Sequence, residues 1–327
     1  MSNPTLTIGI ISCNRLYYLK ALVESLRVCI NPSDVQWIII DNASVGKSHR
    51  KYIESLDFIE HKIFRQKRNP SYEFPDALNT IIERADGKYM LPLTDDLQLI
   101  AKGNLIRDYM EIAESNEKIG SIVIDAQRQT TVDRYFGSRR KPRFMGLTRP
   151  TKRYTTEGIK PCLFSYGKQK PGVVTALINA ITPTDVWRRL GPTFQPRLLQ
   201  TIGESAAGFE IVVQERYEQS GMKLERCLAQ TPIMAQIYTD MRGNQGRVRG
   251  NRRYGNYWAP TDGALYYKIW NEADLDRFME VGRPLSFEES VQPIGFRLPM
   301  DENGDLLKTE MQEGDEFEWI HPSVEGI

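Results

Sequence analysis

The chain has 327 residues and a mass of 37.6 kDa, with 40% hydrophobic, 10% aromatic and 26% charged residues, the composition of a folded globular protein. That length and composition exclude disorder, collagen-like repeats and a disulfide-stapled miniprotein, and Lys and Arg (43) nearly balance Asp and Glu (42). No apolar run approaches the roughly 20 residues needed to span a bilayer, and Ile8–Ile11 is too short for a signal-peptide core. These features predict a cytoplasmic protein. Cys13, Cys29, Cys162 and Cys227 form no CxxC pair, which fits neither a disulfide framework nor a structural zinc site.

The first half alternates short apolar runs with helix-period segments, the signature of βαβ units and a mostly parallel α/β sheet. Thr5–Ile11 reads as the first strand. Asn14 is then placed to cap a helix whose Leu16, Leu19, Leu22, Val23 and Leu26 share one face. Val35–Ile40 reads as a strand covered on both faces and ends in Asp41-Asn42, before a charged helix at Lys47–Leu56. A strand at His61–Arg65, a helix at Asp76–Arg84 and a strand at Lys88–Leu93 follow, the last running into Thr94-Asp95-Asp96. Another helix (Leu105–Ser115) and strand (Ile119–Ile124) complete the regular part.

Residues 127–172 are punctuated by Gly and Pro and carry a dense basic cluster, so they read as a long irregular loop. Val173–Ala180 is strand-like, Thr184–Leu190 is a short helix stopped by Gly191-Pro192, Gly208–Ser220 is a helix and Lys223–Ala229 a closing strand. The expected division is a domain over 1–240 and a C-terminal extension over 241–327. That extension holds a Gly-spaced basic loop with Arg247 and Arg249, an aromatic segment from Tyr254 to Trp270, and an acidic tail.

In open α/β sheets, ligands sit at the carboxyl ends of the strands, which here carry Asp41, Asp95 and Asp96. Adjacent residues in extended backbone point to opposite sides, so Asp95 and Asp96 are not expected to chelate one ion together. One can hold a hard divalent cation while the other accepts hydrogen bonds. Taken singly, each acid also reads as a turn residue or helix cap. The three His show no metal-ligand spacing and read as structural or exposed.

The ordered set of Thr7 to Arg15, Trp37 to Ser44, Arg68-Asn69 with Ala77 and Asn79, and Ala85 to Tyr89 leading into Leu93-Thr-Asp-Asp96 resembles glycosyltransferase family 2. Further on, Ile181 to Gly191 and Gly208 to Arg216 look like that family's acceptor-side segment and acidic helix, so the resemblance covers roughly residues 5 to 230. It implies a GT-A-like, Rossmann-type α/β fold, and a metal-dependent, inverting sugar transferase of polysaccharide biosynthesis acting on a nucleotide-sugar donor. The acceptor would be a glycan or a lipid-linked sugar.

By the same resemblance, Ser12, Asn14, Arg15, Asp41, Asn69 and Asp95 would bind the donor nucleotide or sugar. Asp96 would hold Mn²⁺ or Mg²⁺, and Glu210 would deprotonate the acceptor hydroxyl. Arg247 and Arg249 would sit on a lid that closes over the donor, since guanidinium groups pair bidentately with phosphate oxygens. Departures are visible: Thr-Asp-Asp replaces Asp-x-Asp, and Phe209-Glu210 replaces Glu-Asp, leaving Glu204 or Asp185 as substitutes for the base. The family's further metal-binding His is missing, with Gln236 or Asp240 near its place.

The alternatives are a non-catalytic glycan- or nucleic-acid-binding protein using the basic loops, and a nucleotidyltransferase. A net charge of +1 without a recognition module argues against nucleic acid. The first loop, Ser12-Cys13-Asn14-Arg15, has no glycine, which argues against a phosphate-loop nucleotidyltransferase or a dinucleotide fold. The basic loops equally suit an acidic acceptor or peripheral contact with an anionic membrane surface.

Overall fold

The computed structural model describes residues 5–31, 34–45, 47–69, 72–126, 150–166, 179–192, 213, 216–217, 219–237, 265–285 and 287–295, and the account below concerns these. Its centre is a nine-stranded sheet in the order β3-β2-β1-β4-β9-β6-β10-β8-β7. The strands are β1 (Leu6–Ser12), β2 (Val35–Asp41), β3 (His61–Phe64), β4 (Tyr89–Thr94), β6 (Ile119–Val123), β7 (Pro150–Tyr154), β8 (Leu163–Tyr166), β9 (Ala180–Pro183) and β10 (Glu225–Ala229). Strands β3, β2, β1 and β4 are mutually parallel, as are β6 and β10, and β9 runs antiparallel between β4 and β6. This is the α/β, mostly parallel sheet that the alternating sequence predicts.

The continuous apolar runs are buried on both faces because helices cover both. Ile8 and Ile10 of β1 pair in register with Trp37 and Ile39 of β2 and pack with Leu19, Leu22 and Leu26 of α1 (Leu16–Cys29). On the other face, Ile11, Ile38 and Ile40 pack with Leu78 and Ile81 of α3 (Glu73–Arg84) and with Trp187 of α5 (Thr184–Leu190). The first face is completed by Ile53 of α2 (Lys47–Glu54) and by Tyr109 and Ile112 of α4 (Leu105–Glu114). Gly9 permits the close packing of α3 on β1, since a Cβ there would lie 2.5 Å from Ile81 Cγ2.

Three expectations are corrected. The 127–172 segment is not wholly irregular: β7 and β8 extend the sheet edge by antiparallel pairing onto β10. Helix α1 is capped by Arg15 without a side-chain hydrogen bond, while Asn14 takes a positive φ of 58°, a conformation that Asn tolerates better than most residues. Helix α3 begins at Glu73, three residues early, with Pro75 in its first turn, where its missing N–H has no helical partner to lose.

Two pairs of short strands are unmarked in the sequence: β5 (Leu97–Leu99) pairs with β11 (Met234–Gln236), and β12 (Leu265–Tyr267) pairs with β13 (Pro293–Gly295). Helix α6 (Glu272–Met279) contributes Leu275 and Phe278 to the main core, together with Trp270. A one-turn helix α7 (Phe287–Ser290) follows, and Ser290 accepts the Trp270 indole N–H through its carbonyl (2.8 Å). No helix among the described residues is long and apolar enough to cross a membrane.

Candidate active site at the carboxyl ends of β1, β2 and β4

Register brings the strand-end residues together. Ser12, the last residue of β1, lies opposite Asp41, the last of β2, and Ile11 lies opposite Thr94, the last of β4. The loops that follow are stitched to one another: Asn42 N–H donates to the Ser12 carbonyl (2.9 Å), Asn14 N–H to Ser44 Oγ (2.8 Å), and Val45 N–H to Asn14 Oδ1 (2.9 Å). Asn14 is therefore a brace between two loops.

Asp41 is buried and accepts hydrogen bonds from the Ser44 N–H (3.2 Å to Oδ1) and from the Ser44 hydroxyl. Burial raises its carboxyl above the ordinary aspartate value, with Ser44 opposing. His49, wholly buried at the start of α2, stands 3.1 Å from Ser12 Oγ and 3.7 Å from Asp41 Oδ1 through Nε2. Because the Ser12 hydroxyl proton is committed to Asp95 Oδ2 (3.0 Å), Nε2 must carry the hydrogen. Nδ1 is then a buried acceptor without a partner among the described residues, and burial pushes the His49 pKa down to about 4.

Asp95 and Asp96 do not diverge as extended neighbours would. Strand β4 ends at Thr94, and the two acids occupy the turn into β5. Arg15 Nη1 consequently lies 3.5 Å from Asp95 Oδ1 and 3.7 Å from Asp96 Oδ2. Asp95 also accepts the Cys13 N–H (3.2 Å), and burial pushes its pKa up to about 6, with Arg15 opposing and Asp96 adding to the rise. Asp96 is held on Oδ1 by the Thr94 hydroxyl (2.6 Å) and on Oδ2 by Gln236 Nε2 (2.8 Å), and its side chain keeps 19% of its surface exposed.

A cation would find oxygen donors here. Ions of the magnesium and manganese type are commonly held by one or two carboxylates together with phosphate oxygens, and the part-exposed Asp96 fits that requirement. Among the described residues no three His, Cys, Asp or Glu side chains cluster as a closed metal site, so the protein would supply few of the ligands.

Next to Asp41, a cavity of about 380 Å³ is lined by its neighbour Asn42 and by Arg65, Asn69 and Glu73, among others. Asn69 N–H donates to Glu73 Oε2 (3.2 Å), which Arg68 also engages. Asn42 Oδ1 and Arg65 Nε are buried polar atoms without hydrogen-bond partners among the described residues. Asp185 is at the wrong end of the molecule for a base: it follows antiparallel β9, whose Pro183 pairs with Tyr89 at the start of β4, roughly 16 Å of strand away from the acids. Glu204, Glu210, Asp240, Arg247 and Arg249 lie outside the described residues. Sequence reasoning missed His49 and Ser44; the Asp-x-x-Ser spacing of Asp41 and Ser44 is the one local signal that could have found the latter.

Residues 7–171, half of the chain, match the model of glycosyl transferase family 2. No curated protein sequence matches. Among solved structures, S. aureus TarS aligns with a TM-score of 0.48 at 10% identity, covering 71% of this chain and 36% of that one. TarS 1–349 in complex with UDP-GlcNAc aligns at 0.46 and 10% identity, covering 70% and 57%. The mannosyltransferase PcManGT from Pyrobaculum calidifontis, in complex with GDP-Man and Mn²⁺, aligns at 0.30 and 14% identity, covering 37% and 35%. The chain thus spans less than two thirds of the length of each.

Proposed function

The chain belongs to glycosyl transferase family 2, and from that membership we propose that it transfers a sugar from a nucleotide-diphosphate donor to a hydroxyl of a glycan or lipid-linked acceptor, inverting the anomeric carbon. The observation that carries this reading is the convergence of Asp95 and Asp96 on Arg15, at the end of β4 and beside Asp41. A sugar diphosphate needs hydrogen-bond acceptors for its hydroxyls, which the carboxylates offer, and compensation of its negative charge, for which Arg15 and a cation held by Asp96 would serve.

Asp41, Ser12 and Asn14 form the wall against which the nucleoside would rest. Asn42 and Arg65 line the cavity beside that wall, and a nucleobase seated there would lie against them. Asp95, held by Ser12 and Cys13, would orient the ribose or the transferred sugar. Asp96 would hold Mn²⁺ or Mg²⁺; the bound ion supplies Lewis-acid stabilisation of the departing diphosphate. Arg15, Arg247 and Arg249 are the cationic groups proposed to pair with phosphate oxygens.

Glu210 is the proposed general base, a role worth roughly 10²- to 10⁴-fold in rate. NMR of α-linked UDP-, TDP- and GDP-sugars incubated with the protein and Mn²⁺ tests the reading. The expected result is slow donor hydrolysis that first yields the β-anomer, with Glu210→Gln retaining nucleotide binding but losing turnover. Release of the α-anomer would overturn the inverting mechanism, and full turnover by Glu210→Gln would move the base elsewhere.

A further inference from the structure

A run of hydrogen bonds joins the acid at the end of β4 to a residue far along the chain. Tyr267 is fully buried at the end of β12. Its N–H donates to Gln98 Oε1 (2.8 Å), and Gln98 Nε2 donates back to the Tyr267 carbonyl (2.8 Å). A side-chain amide thus pairs with a peptide unit as a neighbouring strand would, two residues beyond Asp96. The Tyr267 hydroxyl donates to the Gln236 carbonyl (2.8 Å). Gln236 in turn donates its amide to Asp96 Oδ2 (2.8 Å), and the next residue, Ile237, donates its N–H to the Asp96 carbonyl (2.7 Å).

Asp96 is therefore gripped through both its side chain and its backbone by the end of β11, and the phenol of Tyr267 seats that end. Below it, Trp270 N–H donates to the Ile100 carbonyl (2.8 Å) and Lys102 N–H to the Trp270 carbonyl (2.9 Å), so residues 265–270 are zipped along the strand that leaves Asp96. We propose that Tyr267 is a positioning residue: acting through Gln236, it fixes the carboxylate of Asp96 and so sets the cation-dependent part of nucleotide-diphosphate binding. The inference rests on the proposed function, because it takes Asp96 as the acid that works on the diphosphate.

The physical case is one of local satisfaction. Replacing the phenol by a phenyl ring leaves the Gln98 clamp intact but strips the carbonyl of half-buried Gln236 of this donor. The backbone pairing of Gln236 with Leu97 remains, so the change would act on the orientation of the Gln236 side-chain amide that holds Asp96. Removing a group that orients a metal-binding carboxylate characteristically weakens metal affinity or activity by about 10- to 100-fold.

The test is calorimetric titration of UDP and GDP into the full chain, in Mn²⁺ and in EDTA, for the wild type and for Tyr267→Phe, Gln236→Leu, the double variant and Asp96→Ala. The gain in affinity on adding Mn²⁺ is the quantity read. Tyr267→Phe and Gln236→Leu are each expected to lower that gain about 10-fold while leaving binding in EDTA unchanged. The double variant is expected to lose no more than Gln236→Leu alone, since the two residues act along one path.

A loss that appears equally in Mn²⁺ and in EDTA would mean a structural role and overturn the proposal. If Asp96→Ala abolishes the gain while Tyr267→Phe and Gln236→Leu keep it, the positioning role is overturned and the proposed function stands. Were Asp96→Ala itself to keep the gain, the role of Asp96 would fail, and the premise of the positioning role with it.

Discussion

Asp95 and Asp96 are neighbours in the chain, and both reach the guanidinium of Arg15. The turn after Thr94 is what allows it, and a strand-period reading could not anticipate it. His49 offers a separate test at this scale. Its folded pKa is lowered to about 4 from an unfolded value near 6.5, so the unfolded chain binds the extra proton first as pH falls. The contribution of His49 is complete above about pH 6.5 and is lost toward pH 4, on the order of 2–3 kcal/mol.

Asp95, raised to about 6, acts with the opposite sign, costing stability as pH rises above its unfolded value. The difference between the urea-unfolding free energies of the wild type and His49→Gln across pH 4 to 7 reads His49 together with its coupling to Asp41 and, through Ser12, to Asp95. Equal pH dependence in the two proteins would contradict a buried neutral imidazole. The acids at the strand ends were legible in the sequence because each follows an apolar run. His49 was not, because its meeting with those acids depends on which strands lie side by side; Gln236 was legible only through the family resemblance, and Ser44 only through its spacing from Asp41.

At the scale of elements, β1, β2, β4 and α5 matched their sequence patterns closely, since continuous apolar runs and helix-period faces leave few alternatives. The three-residue strands β5, β11, β12 and β13 are too short to display a period, and β7 and β8 sit among glycines and prolines that read as loop. The helix-to-strand turn before β4 has its own constraint. A Cβ on Gly87 would lie 2.5 Å from the Thr7 backbone nitrogen and 2.6 Å from the Leu6 carbonyl carbon, neither of which can rotate aside. Gly87→Ala should therefore destabilise the protein by about 1–3 kcal/mol, measured by urea unfolding. An unchanged midpoint would show that this turn yields without cost.

For the whole molecule, the segment around β12 and α6 is joined to the sheet through Trp270, Leu275 and Phe278 in the main core and through the Tyr267–Gln98 pairing. Sequence separation concealed this, because residues 241–327 read as an extension of polar, aromatic and acidic stretches. The site on the sheet's rim is consequently braced from behind by chain that the strand-end motifs do not include.

The most direct test of the account is a thermal-shift comparison of the wild type and Asp96→Ala with UDP, TDP, GDP and CMP, each with and without Mn²⁺. At about 100 times its dissociation constant a ligand adds about 2.7 kcal/mol to the folded state, a readily measured shift. The account predicts a manganese-dependent shift with at least one of these nucleotides and loss of the manganese dependence in Asp96→Ala. No shift with any nucleotide, or an undiminished one in the variant, would contradict it.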